Sequence, residues 1–352
     1  MKPVFSTRNL IERLHREQTL APDELRYLLS ETTPEDLAFI QAKAREVAQS
    51  RFGNRIYIRG LIEIGNCCRN DCYYCGIRRS NRNITRYRLD EETILACCSE
   101  GYNLGFRTFV LQGGEDNYMT DDRVTSILSA IRKKFPDVAI TLSLGERATQ
   151  SYEQFFKAGA NRYLLRHETH HPDHYRILHP APLSIANRLR CLDDLKAIGF
   201  QTGTGIMVGS PGQTIDHLVE DILFIKAFRP QMIGIGPFLP HHETPFAKAT
   251  PGSMEQTLLL LSIFRLMHPA ALIPSTTALA TLAPDGRERG ILSGANVVMP
   301  NLSPPHQRSN YALYDNKASM GAEAAEGLKL LEQKLNSIGY TIDKSRGDYI
   351  NV

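Results

Sequence analysis

Four of the chain's seven cysteines, Cys67, Cys68, Cys72 and Cys75, fall within nine positions, and the others are Cys97, Cys98 and Cys191. An odd number with this clustering is a poor disulfide framework and points to metal or redox chemistry. The spacing Cys68-x3-Cys72-x2-Cys75 presents three thiolates from one loop. Iron-sulfur cubanes are usually held by four cysteines, so three leave one iron free to take a small molecule. A structural zinc wants four ligands, and the next histidine after Cys75 is His167, so no local Cys3His site is spelled out. In extended backbone Cys67 points away from Cys68. With Cys97, Cys98 and Cys191 it is read as a small packing hydrophobe.

Other candidates are less specific. Arg166-His167-Glu168-Thr169 closes a β-rich run, and an Arg-x-Glu pair there shares one face; the alternative is a structural ion pair. Gly113-Gly114-Glu115 follows another run, although a Gly-Gly turn with an acid is common in loops. Gly203-x-Gly205 and Gly209-Ser210-Pro211-Gly212 allow close approach of a ligand, and bare turn chemistry uses the same residues. His170, His171, His174, His241 and His242 are expected to be solvated loop residues without a metal.

The elements that must position these groups alternate. The first fifty residues read as helices, with Thr33-Pro34-Glu35-Asp36 starting one that reaches about Gln49. From residue 56, β-rich runs recur at 56–64, 108–112, 139–143, 162–166, 204–208, 232–236, 272–275 and 296–299, each followed by a helical segment. Such alternation predicts parallel strands with right-handed crossovers. About eight units over some 250 residues predict one closed (β/α)8 barrel rather than a doubly wound sheet, with its chemistry at the C-terminal strand ends. The expected organisation is a helical extension over 1–55, the barrel over 56–301 and a C-terminal cover over 302–352, strandless and containing an amphipathic helix at 322–335.

Composition removes competing classes. Forty-two per cent hydrophobic and 22% charged residues describe an ordinary buried core and exclude collagen, coiled coil and disorder. A formal charge of +3 gives no field that argues for nucleic acid or an anionic membrane. The most apolar stretch, 258–264, is stopped by Arg265, far short of a membrane span. Arg8, Arg13 and Arg16 interrupt any signal-peptide core, so a cytoplasmic location is expected.

The cysteine spacing, with aromatic Tyr74 before the last cysteine, resembles the signature of the radical S-adenosylmethionine (AdoMet) superfamily. The resemblance implies a 4Fe-4S cluster on Cys68, Cys72 and Cys75, AdoMet on its open iron, and reductive cleavage to a 5′-deoxyadenosyl radical. It also implies Tyr74 beside the adenine, and Gly113, Gly114 and Glu115 at the methionine amino group. Stretches at 110–116, 141–146, 166–169, 235–241 and 294–301 look like the HydE family, the [FeFe]-hydrogenase maturases, over about residues 50–315.

That second likeness implies Ser143, Glu168 and Arg188 as AdoMet contacts, and Arg59, Gln112, Arg166, Thr276, Thr277, Met299 and Tyr311 as cavity residues for a cysteine-like ligand. The implied substrate is a cysteine-bound iron carbonyl/cyanide precursor of the hydrogenase H-cluster, delivered by another maturase. An electron donor such as ferredoxin or flavodoxin is implied as well. Arginine forks suit carboxylates, which both AdoMet and a cysteine ligand offer, and paired threonine hydroxyls add directional bonds. Thr276 and Thr277 also fit plain β-propensity, while Met299 and Tyr311 fit a core equally well.

One departure stands out. Several HydE proteins hold an auxiliary cluster on three C-terminal cysteines, whereas no cysteine follows Cys191 here and Ser319 stands near the first of those places. One cluster and no auxiliary one is expected, which also counts against biotin synthase. Two alternatives are a methylornithine synthase-like radical mutase and a non-catalytic iron-sulfur carrier.

Overall fold

Gly60–Gly65 reads Gly-Leu-Ile-Glu-Ile-Gly and is buried at every position, as befits a parallel strand covered on both faces. The computed structural model describes residues 5–350. Its strands are β1 (Arg55–Ile58), β2 (Gly60–Gly65), β3 (Thr108–Gly113), β4 (Ala139–Ser143), β5 (Arg162–Leu164) and β6 (Gln201–Thr204). They continue with β7 (Met207–Val208), β8 (Met232–Ile233), β9 (Gly236–Pro237), β10 (Val297–Val298) and β11 (Thr341–Asp343).

The order β2-β3-β4-β5-β6-β8 is parallel throughout. Bridges Met232↔Leu272 and Pro274↔Val297 carry the ladder through residues 272–274 to β10, which pairs with β1. Because β1 runs on into β2, the ring closes as the expected (β/α)8 barrel.

Outer helices Glu91–Leu104, Asp121–Lys134, Ile185–Ile198, Ile215–Phe228 and Met254–Met267 begin at Asp90, Thr120, Ser184, Thr214 and Ser253. Each of those side chains accepts the backbone N–H three residues on, which fixes where the helix starts. The N-terminal helices Thr7–Glu17, Pro22–Glu31 and Pro34–Phe52 pack outside the barrel against Ile215–Phe228 and Met254–Met267.

The C-terminal region departs from expectation in its secondary structure, at residues 321–327 and at β11. Residues 311–317 cross the C-terminal mouth: Leu313 O accepts from Gly76 N (2.8 Å), and Asp315 N donates to Pro240 O (3.0 Å). The helix expected at 322–335 begins at Leu328, preceded by 3-10 turns Gly321–Glu323 and Ala325–Gly327. There Asn301 N donates to Glu323 O and Ala325 N to Asn301 O, so pairing with the end of the last barrel strand overrides alanine's helix propensity. A strand also appears where none was expected, since β11 lies parallel to β1 in the register Arg55↔Thr341. Three residues are too few to show a period.

Candidate active site

The cysteine loop follows β2 at the C-terminal mouth and has little regular structure, so neighbouring loops fix it. Arg69 N donates to Glu115 O (2.8 Å), Tyr73 N to Leu178 O (2.9 Å) and Gly76 N to Leu313 O (2.8 Å). A Cβ on Gly114 would lie 2.3 Å from Cys67 O and 2.7 Å from Cys68 Cβ; on Gly76 it would lie 2.2 Å from Ala312 O. Both glycines are therefore required by close approach.

Cys68, Cys72 and Cys75 are half-buried. Burial pushes their thiols up, Cys75 to about 12, and the neighbouring thiols add to the shift of Cys72 and Cys75. Iron bound there would invert this preference, because a coordinating thiol is deprotonated outright. Cys97, Cys98 and Cys191 are buried in helices, in line with packing. Half-buried Cys67 makes only a long contact, 3.9 Å from Sγ to Tyr87 O.

The neighbouring residues are tightly held. His179 Nδ1 lies 3.0 Å from Tyr175 O, so it carries the proton and Nε2 accepts from Tyr74 OH at 3.2 Å. Burial takes His179 down to about 3, which keeps the ring neutral. Glu115 Oε1 accepts from Glu146 N (2.9 Å), and Oε2 accepts from Arg69 Nη2 (3.2 Å). Gly145, at φ +74°, makes room for that carboxylate, since its Cβ would sit 2.0 Å from Glu115 Cγ. Buried Arg188 donates from Nε to Glu146 Oε1 (2.5 Å) and from Nη1 to Arg166 O (2.8 Å).

Glu168 is buried at φ 65°, a left-handed conformation costly for a non-glycine residue and concentrated at functional sites. Its Oε2 lies 3.0 Å from Arg166 Nη2 without hydrogen-bond geometry. Ser143 ends β4, paired in register with Gln112.

Gln112, Arg166, Thr276, Thr277 and Met299 line one cavity of about 210 Å³ in the barrel mouth. Tyr74, Cys75 and Glu168 border the same space, which joins the cysteine loop to the expected substrate side. Two expected cavity residues lie outside its lining. Tyr311 is buried behind it, its OH accepting from Gln112 Nε2 (3.2 Å). Arg59 lies in the barrel interior, its Nη1 3.2 Å from Met232 Sδ.

Gly203 and Gly205 serve packing rather than a ligand, because a Cβ would lie 2.8 Å from Met232 Cβ or 1.8 Å from Gly234 O. Gly209 packs on Gly252 and Gly212 faces Ile177. His174 and His241 are buried, not solvated. His241 and His242 do lie near Asp315, but His241 Nδ1 accepts from Glu243 N. Metal bound at Nε2 would put a proton on that nitrogen and oppose the bond.

Sequence reasoning missed Glu63, Lys317 and Tyr314, which also line the cavity. Lys317 pairs with fully buried Glu63, whose other oxygen accepts from Asn301 Nδ2 (2.9 Å). A lone acid in the apolar run 60–65 was the available signal for Glu63; Lys317 gave none. Glu146, which holds Arg188, was visible only as part of a likeness.

An eight-stranded barrel with three cysteines at its C-terminal mouth is the architecture that comparison recovers. Residues 62–225 match the model of the Radical SAM superfamily, and the chain belongs to that superfamily. It is 44% identical over 313 residues, 88% of either chain, to the [FeFe] hydrogenase maturase subunit HydE of Thermotoga maritima, and within the superfamily it belongs to the HydE family. It is also 28% identical over 322 residues, 91% of this chain and 89% of the other, to 3-methylornithine synthase of Methanosarcina acetivorans.

Among solved structures, methylornithine synthase (PylB) superposes with a TM-score of 0.83 at 26% identity, covering 95% of this chain and 97% of that one. HydG, a maturase of the [FeFe]-hydrogenase, superposes at 0.81 and 20% identity, covering 96% and 75%, and supports the fold. Membership implies a 4Fe-4S cluster and AdoMet. The residues fit: three thiols share one loop, glycines at 114 and 145 let the neighbouring loops close against it, and buried polar atoms border the cavity.

Proposed function

We propose that this radical AdoMet enzyme acts in [FeFe]-hydrogenase maturation on a cysteine-bound iron carbonyl/cyanide precursor of the H-cluster. Cys68, Cys72 and Cys75 hold the single cluster, with no auxiliary one, since no cysteine follows Cys191. When bound, the cluster and AdoMet supply a 5′-deoxyadenosyl radical. Tyr74, held by His179, flanks the adenine. Gly113, Gly114 and Glu115 receive the methionine amino group, and Ser143, Glu168 and Arg188 complete the AdoMet contacts. Arg188 is pinned by Glu146, so its cation orients without moving.

The substrate's amino-acid portion falls to Gln112, Arg166, Thr276, Thr277 and Met299 around the cavity, with Tyr311 holding Gln112 and Arg59 below. One observation carries this reading: Thr276 Oγ1, Arg166 Nε, Glu168 Oε2 and both Arg59 Nε and Nη2 are buried without a hydrogen-bond partner. Buried polar groups are costly unless paired, and a zwitterionic ligand supplies acceptors for the arginines and a donor for the carboxylate. Leu313, Tyr314 and Lys317 of the segment crossing the mouth border the cavity from above. A low-potential donor such as ferredoxin or flavodoxin and another maturase are the partners, in the cytoplasm.

The test is anaerobic reconstitution followed by dithionite and AdoMet, with the iron product of the partner maturase added. About four irons per chain, release of 5′-deoxyadenosine and gain of hydrogenase activity are expected. Deoxyadenosine labelled from deuterated lysine would favour the mutase instead. Maturation that survives Cys72→Ala would favour a carrier.

A further inference from the structure

Arg86 lies just beyond the cysteine loop, next to the stretch where Gly65 bridges Arg88. Its guanidinium donates to four backbone carbonyls: Nη1 to Asn66 (2.5 Å) and Ile77 (2.8 Å), Nη2 to Arg78 (2.6 Å) and Asn81 (3.0 Å). Asn66 precedes the first cysteine of the loop, while Ile77 and Arg78 follow the last. One planar group thus ties both ends of the segment carrying all three thiols. Asn66 is itself fixed, donating to Thr85 O (2.8 Å) and Asn310 O (2.6 Å) and accepting from Tyr87 N (2.8 Å).

The charge on Arg86 is also unusual for its surroundings. Arg69, Arg78 and Arg88 pair with Glu115, Asp71 and Asp116 at 3.2, 2.8 and 2.5 Å. Arg79 and Arg82 are exposed. Arg86 is half-buried, and among the described residues its guanidinium is met by carbonyls, which carry no net charge.

We propose that Arg86 is a positioning residue that clasps the two ends of the cysteine loop and, as an uncompensated cation beside it, raises the reduction potential of the cluster held there. This rests on Cys68, Cys72 and Cys75 being the cluster ligands. Reduction moves one electron from an external low-potential donor onto an already anionic cluster, with no proton transferred. A fixed positive charge therefore favours the reduced form, and net charge is among the factors that set cluster potentials.

The test compares the wild type with Arg86→Gln, Arg86→Lys and the exposed control Arg79→Gln. Each is reconstituted anaerobically, assayed for iron and titrated with dithionite while the reduced cluster is followed by electron paramagnetic resonance. Arg86→Gln should shift the reduced-to-oxidised ratio about tenfold toward oxidised at a given potential, a fall of about 59 mV for one electron. Arg86→Lys and Arg79→Gln should stay at the wild-type potential. An unchanged potential in Arg86→Gln, or an equal fall in Arg86→Lys, overturns the proposal. If Arg86→Gln holds no cluster, Arg86→Lys decides: a wild-type potential supports the role of charge and a lowered one refutes it. Absence of a cluster from the wild type would instead refute the cysteine assignment itself, and the iron assay separates the two failures.

Discussion

Arg162 and Arg59 both project into the barrel, one at its N-terminal mouth and one beneath the cavity, yet the chain treats them differently. Arg162 is fully buried and uses every nitrogen. Nε donates to Gln201 Oε1 (3.2 Å), Nη1 to Thr108 Oγ1 (3.2 Å), and Nη2 to Arg346 O (2.9 Å) and Asp348 Oδ1 (2.7 Å). The C-terminal segment after β11 supplies two of these acceptors. Arg59 has one contact to a sulfur, two nitrogens without partners, and a pKa lowered well below the usual arginine range by burial and then by the charge of Arg162. One end of the barrel is completed by its own polypeptide, and the interior toward the other leaves arginine nitrogens unpaired. This follows the division of labour of such barrels, with stability at the N-terminal face and chemistry at the C-terminal face.

The strongest break between the two regions should come from Cys72→Ala: deoxyadenosine release falls below detection by chromatography, while the thermal midpoint of the apoprotein stays where it was. A large loss of stability would mean the loop is structural. Next in size, Asp348→Ala should cost about 2 kcal/mol in urea unfolding, because it strips a carboxylate from buried Arg162. Asp348 is about one-third exposed, so the cost falls short of a fully buried pair. Turnover per folded molecule should not change, and a matching loss of turnover would join the two ends functionally.

Arg59→Met tests the same contrast with the opposite sign. Replacing an uncompensated buried charge by an apolar chain should stabilise the apoprotein by about 1 kcal/mol, while hydrogenase maturation is lost and AdoMet cleavage persists. Destabilisation by this change would show that Arg59 is a structural group like Arg162.

The smallest effect concerns Asp221, behind the Arg166–Glu168 turn, where Oδ1 accepts from His170 N (2.6 Å) and lies 3.2 Å from His167 Nε2. Burial pushes this carboxyl up to about 8. The folded state therefore holds a proton that the unfolded chain releases near pH 3.8, and stability falls as pH rises from about 4 through about 8. Asp221→Asn should flatten that slope in urea midpoints taken across the range. An unchanged slope would place the titration elsewhere.

The barrel was legible because recurrence over the whole chain outweighs weak local signals. Runs such as 139–143 fixed a strand to the residue, and Thr33 marked a helix start that the structure retains. The thiol loop was legible from spacing alone. Residues joined only by tertiary approach were not. Nothing in the sequence around Lys317 indicates that it meets Glu63, 254 positions away, and Arg86 lies in a stretch with no period to read. The turns at 321–327 show the limit of propensity, since an alanine-rich segment forgoes a helix to pair with Asn301. Arg59 was expected to line the cavity, and it lies instead in the barrel interior against Met232, whose strand lies elsewhere in the ring.

The most direct test is Mössbauer spectroscopy of the iron-57-reconstituted protein, prepared without oxygen and recorded before and after AdoMet is added. The account predicts one cubane per chain in which about a quarter of the iron signal changes on addition, the single site that no cysteine holds. Four iron sites that ignore AdoMet, or iron that never assembles into a cluster on these three thiols, would contradict it.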